Sequence, residues 1–516
     1  MKPFEAVTER YARQSPAVRK LFWVVLVLLL AAGATVTVPR LLPNSSCGVG
    51  VEKRGDDVEC TGVTDGAYHF IPEIGPVSDR IKAENDRVTG SGAPYSTIAL
   101  MIPMTPTEQD TAARTQLLRE VQGAYLAQFR ANQEGELEPP IRLVLANPGR
   151  EMTRRTEVTD QLAAMSASDR DRLRAVFGFN VSTTQTEETI RRLTEVHRIA
   201  VVGGPITADS IANTKAEPDK YPGLAKIVPS NSDQARALTH YLKVKPAETF
   251  LVEDTRADDL YARSLRAAFR TETKGTPFAP EEYRADQATP NDFAQMVNNL
   301  CNSRATTVYF SGRPPALTQL VRALGKRGCP EKRYRVVTVS GASTLALDPK
   351  MPWEAFTFGA GLSVEYATIT HQDAWTARPP ATGGSSTDYK ALERLVTDPR
   401  QRDAVGDIGP TGLADGRTIT THDSALTAIA AIRNRVVGKG RVPDQKSIPA
   451  AWPRLHGQAM VRGASGWICL NSYGTPYNKA VAIVKLLPAE GHHIQFVRLA
   501  WPDGAPPKKE CTAKGD

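Results

Sequence analysis

The chain has 516 residues, 41% of them hydrophobic and 23% charged, with a formal net charge of +8. That length exceeds what one hydrophobic core usually organises, so at least two lobes are expected, and the ordinary composition excludes long disorder outside linkers. The positive charge is spread along the chain without a concentrated stripe, which argues against nucleic acid as a partner.

In chain order, residues 21–38 read LFWVVLVLLLAAGATVTV. This uncharged run is about as long as a hydrocarbon core is thick. Lys2, Arg10, Arg13, Arg19 and Lys20 precede it, so residues 1–20 are expected to stay in the cytoplasm and the remainder to be exported. Ala32-Gly33-Ala34 also resembles a small-residue cleavage site, so a cleaved signal peptide competes with an uncleaved transmembrane anchor. Residues 39–92 carry Gly, Asp and Pro with little periodicity and read as an extracytoplasmic stalk. Export fits the six cysteines, Cys47, Cys60, Cys301, Cys329, Cys469 and Cys511, an even number with no C-x-x-C pair. Pairing of sequence neighbours gives 47–60, 301–329 and 469–511, with buried free thiols as the alternative. Zinc is disfavoured by the same spacing, and no other metal or cofactor is expected.

From Tyr95 onward the pattern alternates. Ser96 to Ile102 is a short apolar run ended by Pro103, as in a buried strand. Leu117, Leu118, Val121, Tyr125, Leu126 and Phe129 follow with helical spacing. Strand-like runs recur at Ile141, Arg174, Arg198, Thr249, Thr306 and Tyr334. Helical runs recur at Thr186, Ser232 (a candidate N-cap), Leu260, Phe293 and Ala316. Repeated βαβ units imply an α/β fold of two doubly wound parallel-sheet lobes with a hinge. Ligands of open α/β sheets sit at the carboxyl ends of the strands, so facing lobes place a cleft there. The expected division is 93–245 for lobe one, 246–355 for lobe two, and 356–455 for a return to lobe one. Residues 456–502 then form a closing lobe-two hairpin, and 503–516 a loose tail.

Several motifs in this order resemble the type 1 periplasmic binding proteins of the branched-chain amino acid kind, over about Ser96 to Leu486. Pro103-Met104-Thr105 resembles that family's first loop, Gly178 to Thr184 its "G-x-x-S-S" loop, and Val202 to Thr207 the next ligand loop. Val252-Glu253-Asp254 through Tyr261 resembles its "D-x-x-Y-G" segment, with Ala262 in place of the glycine. His422 to Ala425 resembles a "Y-D-A" helix start, and Ser465 to Gly474 the closing hairpin. The resemblance implies the type 1 periplasmic-binding-protein fold and a solute-binding component of an ABC transporter, with permease and ATPase subunits as partners, and the apolar run 21–38 would tether it to the membrane. It implies ligand contacts from Thr105, Ser182, Thr183, Gly204 and Thr207, and an aromatic wall from Tyr261. Hydroxyls and amides at helix starts suit an anion for a physical reason, since they donate where the helix dipole is positive. The family's acidic residue on lobe two is missing at Ser340-Gly341-Ala342-Ser343, while Arg313 offers a cation nearby. The expected ligand is therefore a small polar or anionic solute, paired by Arg313. A tethered ligand-sensing receptor domain and an envelope scaffold that binds no ligand are the alternatives.

No catalytic signature is found, and no enzyme is expected. The sequence has no P-loop, no G-x-G-x-x-G after a strand, no nucleophile elbow and no H-E-x-x-H. His422-Asp423-Ser424 holds the residue types of a triad, but sequence neighbours at a helix start are read as caps, and so are Asp258 and Asp259.

Overall fold

Short apolar runs bounded by glycine or proline become parallel strands buried on both faces, and amphipathic runs between them become the covering helices. The computed structural model describes residues 46–54, 59–133, 139–438, 440–488, 493–508 and 511, and residues 48–516 form one compact unit. The apolar segment 21–38 lies outside the described residues. Among the described residues no helix is long and apolar enough to cross a membrane.

Lobe one is built on β1 (Val51–Arg54), β2 (Glu59–Thr64), β3 (Ser96–Met101), β4 (Ile141–Asn147), β5 (Leu173–Gly178), β6 (Ala200–Gly203) and β7 (Leu224–Lys226). They lie in the order β1-β2-β4-β3-β5-β6-β7. β3 is central and buried at every residue, with Ala99 between Val144 and Val176 in parallel register. Lobe two uses β8 (Thr249–Asp254), β9 (Glu281–Tyr283), β10 (Thr307–Ser311), β11 (Tyr334–Thr338) and β12 (Leu362–Thr368). A hairpin of β13 (Val461–Gly463) and β14 (Gly466–Ile468) stands apart, and β15 (Val481–Leu486) and β16 (Ile494–Ala500) complete the lobe-two sheet. That sheet runs β9-β8-β10-β11-β12-β15-β16, parallel as far as β12 and antiparallel beyond it.

The helices are α1 (Gly75–Gly90), α2 (Thr111–Gln133), α3 (Arg155–Ala167), α4 (Thr184–Arg191), α5 (Asn231–Leu242), α6 (Leu260–Glu272), α7 (Pro290–Asn302), α8 (Pro314–Leu324), α9 (Ser386–Thr397), α10 (Pro399–Val405) and α11 (Arg417–Asn434). α11 packs along α2 at very close approach, since a Cβ on Gly123 would come within 2.4 Å of the Thr418 carbonyl oxygen. An ordinary side chain there would force the two helices apart. In lobe two, Ala235 and Leu238 of α5 share a core with Leu265 and Phe269 of α6 and Tyr309 of β10.

Several sequence expectations are corrected. The expected stalk at 39–92 is folded over most of its described part. β2 pairs antiparallel with β4, Gly62 opposite Asn147, and α1 buries Val77, Ile81 and Val88. Its strands are short and rich in Thr, Gly and Glu, so they carry little apolar signal. The chain leaves lobe one just after β7 rather than at Pro246, because α5 packs on lobe two. β12 belongs to lobe two, so the return to lobe one comes after Thr368. The segment 456–502 is not one hairpin. β14 pairs with β13, while β15 pairs with β12 and β16. The cap of α5 is Ser230, in a capping box with Asp233, rather than Ser232. His422 and Asp423 lie inside α11, fully buried, and not at its start. Disulfides join Cys301 to Cys329 and Cys469 to Cys511; Cys47 and Cys60 are also disulfide-bonded, and no cysteine is free.

Candidate functional site

Five parallel strands, two from lobe one and three from lobe two, end at one cavity. The loop after β5 brings Asn180, Val181 and Ser182, and that after β6 brings Pro205 and Thr207. From lobe two, β10 delivers Arg313, β11 delivers Ser340, Gly341, Ser343 and Thr344, and β12 ends in Thr368 and Ile369. Gln116 of α2, Tyr261 of α6 and the start of α11 (Asp415, Gly416, Arg417, Thr420) close it. The space measures about 130 Å³. An apolar cavity of about 150 Å³ accepts benzene, so this one suits a solute of comparable size. A larger outer chamber of about 510 Å³ adjoins it, lined by Pro103, Thr105, Thr183, Arg256 and Asp258 among others, and Asn180, Val181 and Arg313 border both spaces.

Of the residues expected at the ligand, Ser182, Thr207, Tyr261 and Arg313 line the inner cavity, while Thr105 and Thr183 line only the outer chamber. Thr105 donates to the Glu59 carboxylate. Thr183 caps α4, its hydroxyl accepting from the Thr186 amide at 3.3 Å. Gly204 lines neither space. A Cβ there would meet Ser424 Oγ at 2.3 Å, so this glycine admits α11 against the sheet. Tyr261 is buried, accepts the Gly341 amide through its hydroxyl at 3.1 Å, and has its phenol pushed up to about 12, chiefly by burial.

Arg313 does reach the cleft, but it is already paired. Its Nε and Nη2 each hold one oxygen of Asp259 at 2.8 Å, and its guanidinium lies 4.7 Å from the centre of the Tyr261 ring. Asp259 also caps α6 through the Ala262 amide and meets Arg256 at 3.0 Å. Burial works to raise the Asp259 carboxyl, yet Arg313, the amide and Arg256 together hold it below its ordinary value. The carboxylate therefore neutralises the cation expected to take an anionic ligand.

Sequence reasoning missed three charged groups. Arg417 faces Glu120 at 3.5 Å and donates to Ser343 Oγ at 3.1 Å. Glu120 is buried, accepts from Gln116 and Asn180, and is pushed up by burial. Asp415, 8% exposed, has Oδ1 on the Arg417 amide at 2.9 Å and is likewise raised by burial. A charge set among Leu117, Leu118 and Val121, and an Asp-Gly pair directly before a helix, are the signals that could have found them.

The lobes meet through apolar and polar contacts: Leu260 of α6 belongs to the buried lobe-one core with Ile206, Ala208 and Ile211. The Ser182 carbonyl accepts from the Tyr261 amide at 3.2 Å and from Arg313 at 3.3 Å, and the Thr184 amide donates to the Asp258 carbonyl at 3.3 Å. The Asp209 amide donates to Ser264 Oγ at 3.0 Å. Among the described residues no group of three or more His, Cys, Asp or Glu could hold a metal ion.

Solved structures share this two-lobed architecture. An ABC transporter substrate-binding protein from Desulfitobacterium hafniense aligns over 78% of this chain and 100% of its own, with a TM-score of 0.56 and 14% identity. The branched-chain amino acid transporter substrate-binding protein LivJ from Streptococcus pneumoniae, in complex with isoleucine, aligns over 78% and 99%, with a TM-score of 0.56 and 15% identity. A solute-binding protein from R. palustris, in complex with 4-hydroxybenzoate, aligns over 78% and 96%, with a TM-score of 0.55 and 12% identity. At such identities the likeness is one of fold. No curated protein sequence matches the chain. A model of the family described as periplasmic binding protein matches residues 105–391, more than half of the chain. With two mostly parallel sheets whose strand ends converge on one cavity, the chain belongs to the periplasmic binding protein family.

Proposed function

We propose that this chain is an extracytoplasmic solute-binding protein of the ABC-transporter type, tethered to the membrane by residues 21–38, which captures a small polar solute by closure of its two lobes. The observation that carries the reading is the cavity of about 130 Å³ walled by strand ends from both lobes. Its hydroxyls and amides supply hydrogen bonds, and closure would desolvate whatever they hold. Binding without chemistry is the reading adopted here, in keeping with a lining of hydroxyls and backbone amides. The Arg313–Asp259 pair favours a polar solute over a purely anionic one.

The test is a thermal-shift screen of amino acids, carboxylates, sugars and nucleosides on the exported part. A true ligand at a hundredfold excess over its Kd stabilises by about 2.7 kcal/mol and raises the midpoint. A chain that responds to none of these classes is a scaffold and not a solute carrier. Tethering is tested by fractionation: the full chain should stay with membranes through a high-salt wash, and deletion of residues 1–38 should release it. Co-purification of a permease with the loaded protein would support transport. Capture of a signalling partner in its place would support the sensor reading.

A further inference from the structure

We propose that the segment after β16 doubles the chain's last passage between the lobes, and that the Cys469–Cys511 disulfide closes the two segments into a ribbon that limits how far the lobes open and twist. The inference concerns the hinge of the solute-binding reading, but its test needs no solute.

The chain passes between the lobes after β7, after β12 and after β14. The last of these passages starts at Cys469, on lobe one. Beside it the Leu470 amide donates to the Leu455 carbonyl at 3.0 Å, and Asp423 of α11 holds the turn between β13 and β14. The passage ends at Val481, the first residue of β15 in the lobe-two sheet. Val481 pairs with Ala500, the last residue of β16. From Ala500 the chain goes back to lobe one, where Cys511 is bonded to Cys469 and its carbonyl accepts the Gly457 amide at 3.0 Å. The segments 469–481 and 500–511 are nearly equal in length and share both ends.

Hydrogen bonds join the two segments between those ends. The Asp503 amide donates to Asn478 Oδ1 at 3.0 Å, and Asn478 Nδ2 donates to the Ala505 carbonyl at 3.0 Å. The Tyr477 hydroxyl donates to the Asp503 carboxylate at 3.4 Å. The pair is also sewn to the passage after β12. There the Thr382 hydroxyl donates to the Pro507 carbonyl at 2.5 Å, and the Gly383 carbonyl accepts the Trp467 amide at 2.8 Å. The tail expected to be loose is therefore bonded over its described residues, 503–508 and 511.

A hinge works because a few residues absorb the change in backbone torsions. A single segment does this freely. Two segments with common ends do not, because twisting one lobe against the other shears the bonds between them, and opening stretches both together. The disulfide holds their ends in one place when individual hydrogen bonds break, and so removes conformations that an unlinked tail would reach. Without it, the tail can peel away from Asn478 and Thr382, and the hinge is left with three single passages.

The experiment measures the distance between lobes by electron–electron resonance in the full chain without solute. Spin labels sit on Glu108→Cys in lobe one and Lys350→Cys in lobe two, both exposed positions, and no native cysteine is free to react. Cys469→Ser combined with Cys511→Ser should broaden the distance distribution and shift its mean by more than about 2 Å, the size of a domain rearrangement. Asn478→Ala removes two cross-bonds, keeps the disulfide, and should broaden the distribution less. A lower thermal midpoint with an unaltered distribution would make the disulfide a staple of the terminus and overturn the ribbon. If the serine pair does not fold, Asn478→Ala decides alone: a broader distribution supports the ribbon and an unaltered one overturns it. Because no solute is added, either result leaves the solute-binding reading to its own test, and a chain that binds no solute can still show the ribbon.

Discussion

Nη2 of Arg417 and Oγ of Ser343 meet 3.1 Å apart, joining the start of α11 in lobe one to the loop after β11 in lobe two. The same guanidinium faces the buried Glu120, so one side chain links the floor of the cavity to its opposite wall. Ser343→Ala removes the cross-lobe bond and leaves the Glu120 contact intact. Small-angle scattering should then report a larger radius of gyration than for the unaltered chain, while the thermal midpoint barely changes. Arg417→Ala should open the lobes further and also lower the midpoint, because Glu120 loses its cation. An Arg417→Ala chain as compact as the parent would sink this view of closure.

Asp259 joins three functions in one carboxylate: cap of α6, partner of Arg313 and partner of Arg256. Its side chain is only 5% exposed. Removing one member of a buried charged set costs about 3–5 kcal/mol, since the other is left unpaired. Asp259→Ala is therefore expected to lower the urea midpoint strongly. Arg313→Met, which removes the cation together with its need for a partner, should cost less. Equal losses from the two changes would refute the ranking.

The fold was legible because it rests on patterns that local sequence carries. Runs such as Thr249–Asp254 and Thr307–Ser311, buried at every residue, cannot be exposed or helical without losing their packing. The N-terminal strands were not legible: Glu59-Cys60-Thr61-Gly62-Val63-Thr64 has a single large apolar residue and is held by its pairing with β4. The site was legible at the strand ends, where Ser182, Thr207, Tyr261 and Arg313 arrive by topology. Which partner each charge would find was beyond the sequence. Arg313 and Asp259 stand 54 positions apart, and the approach of Arg417 to Glu120 depends on how α11 lies along α2.

Asp423, buried in α11, binds the turn between β13 and β14. It accepts the Ala464 amide at 2.9 Å, the Ser465 amide at 2.7 Å and the Ser465 hydroxyl at 2.5 Å, and meets His422 Nδ1 at 2.9 Å. Burial tends to raise this carboxyl, but His422, Ser465 and Lys479 outweigh it and hold it below its ordinary value. A carboxylate lowered on folding adds stability above its unfolded value, about 3.9, and loses that contribution as pH falls through the folded one. The urea midpoint of the unaltered chain should therefore drop below about pH 4. Asp423→Asn should be weaker at neutral pH and show a shallower acid decline. Parallel curves for the two proteins would contradict the assignment.

Two lysines act at the other end of the pH scale. Lys226 is 2% exposed and donates to the Ala208 carbonyl at 2.9 Å. Lys479, 5% exposed, points at the carbonyls of Ser465, Gly466 and Trp467 at 3.2–3.3 Å. Burial pushes both amines down to about 8, against a partial opposing pull from nearby aspartates. An amine lowered on folding carries a cost while charged. Above pH 8 the folded chain releases its proton, while the unfolded chain holds it until about 10.4, so the unfolded state binds more protons and stability rises with pH in that window. Buried tyrosines such as Tyr221 and Tyr366, raised chiefly by burial, oppose this only once the unfolded phenols ionise, near pH 10. The denaturant midpoint should therefore climb between about pH 7.5 and 9.5. Lys226→Met and Lys479→Met should each flatten the climb, and a midpoint that falls over the same interval would show that neither amine gives up its proton in the folded chain.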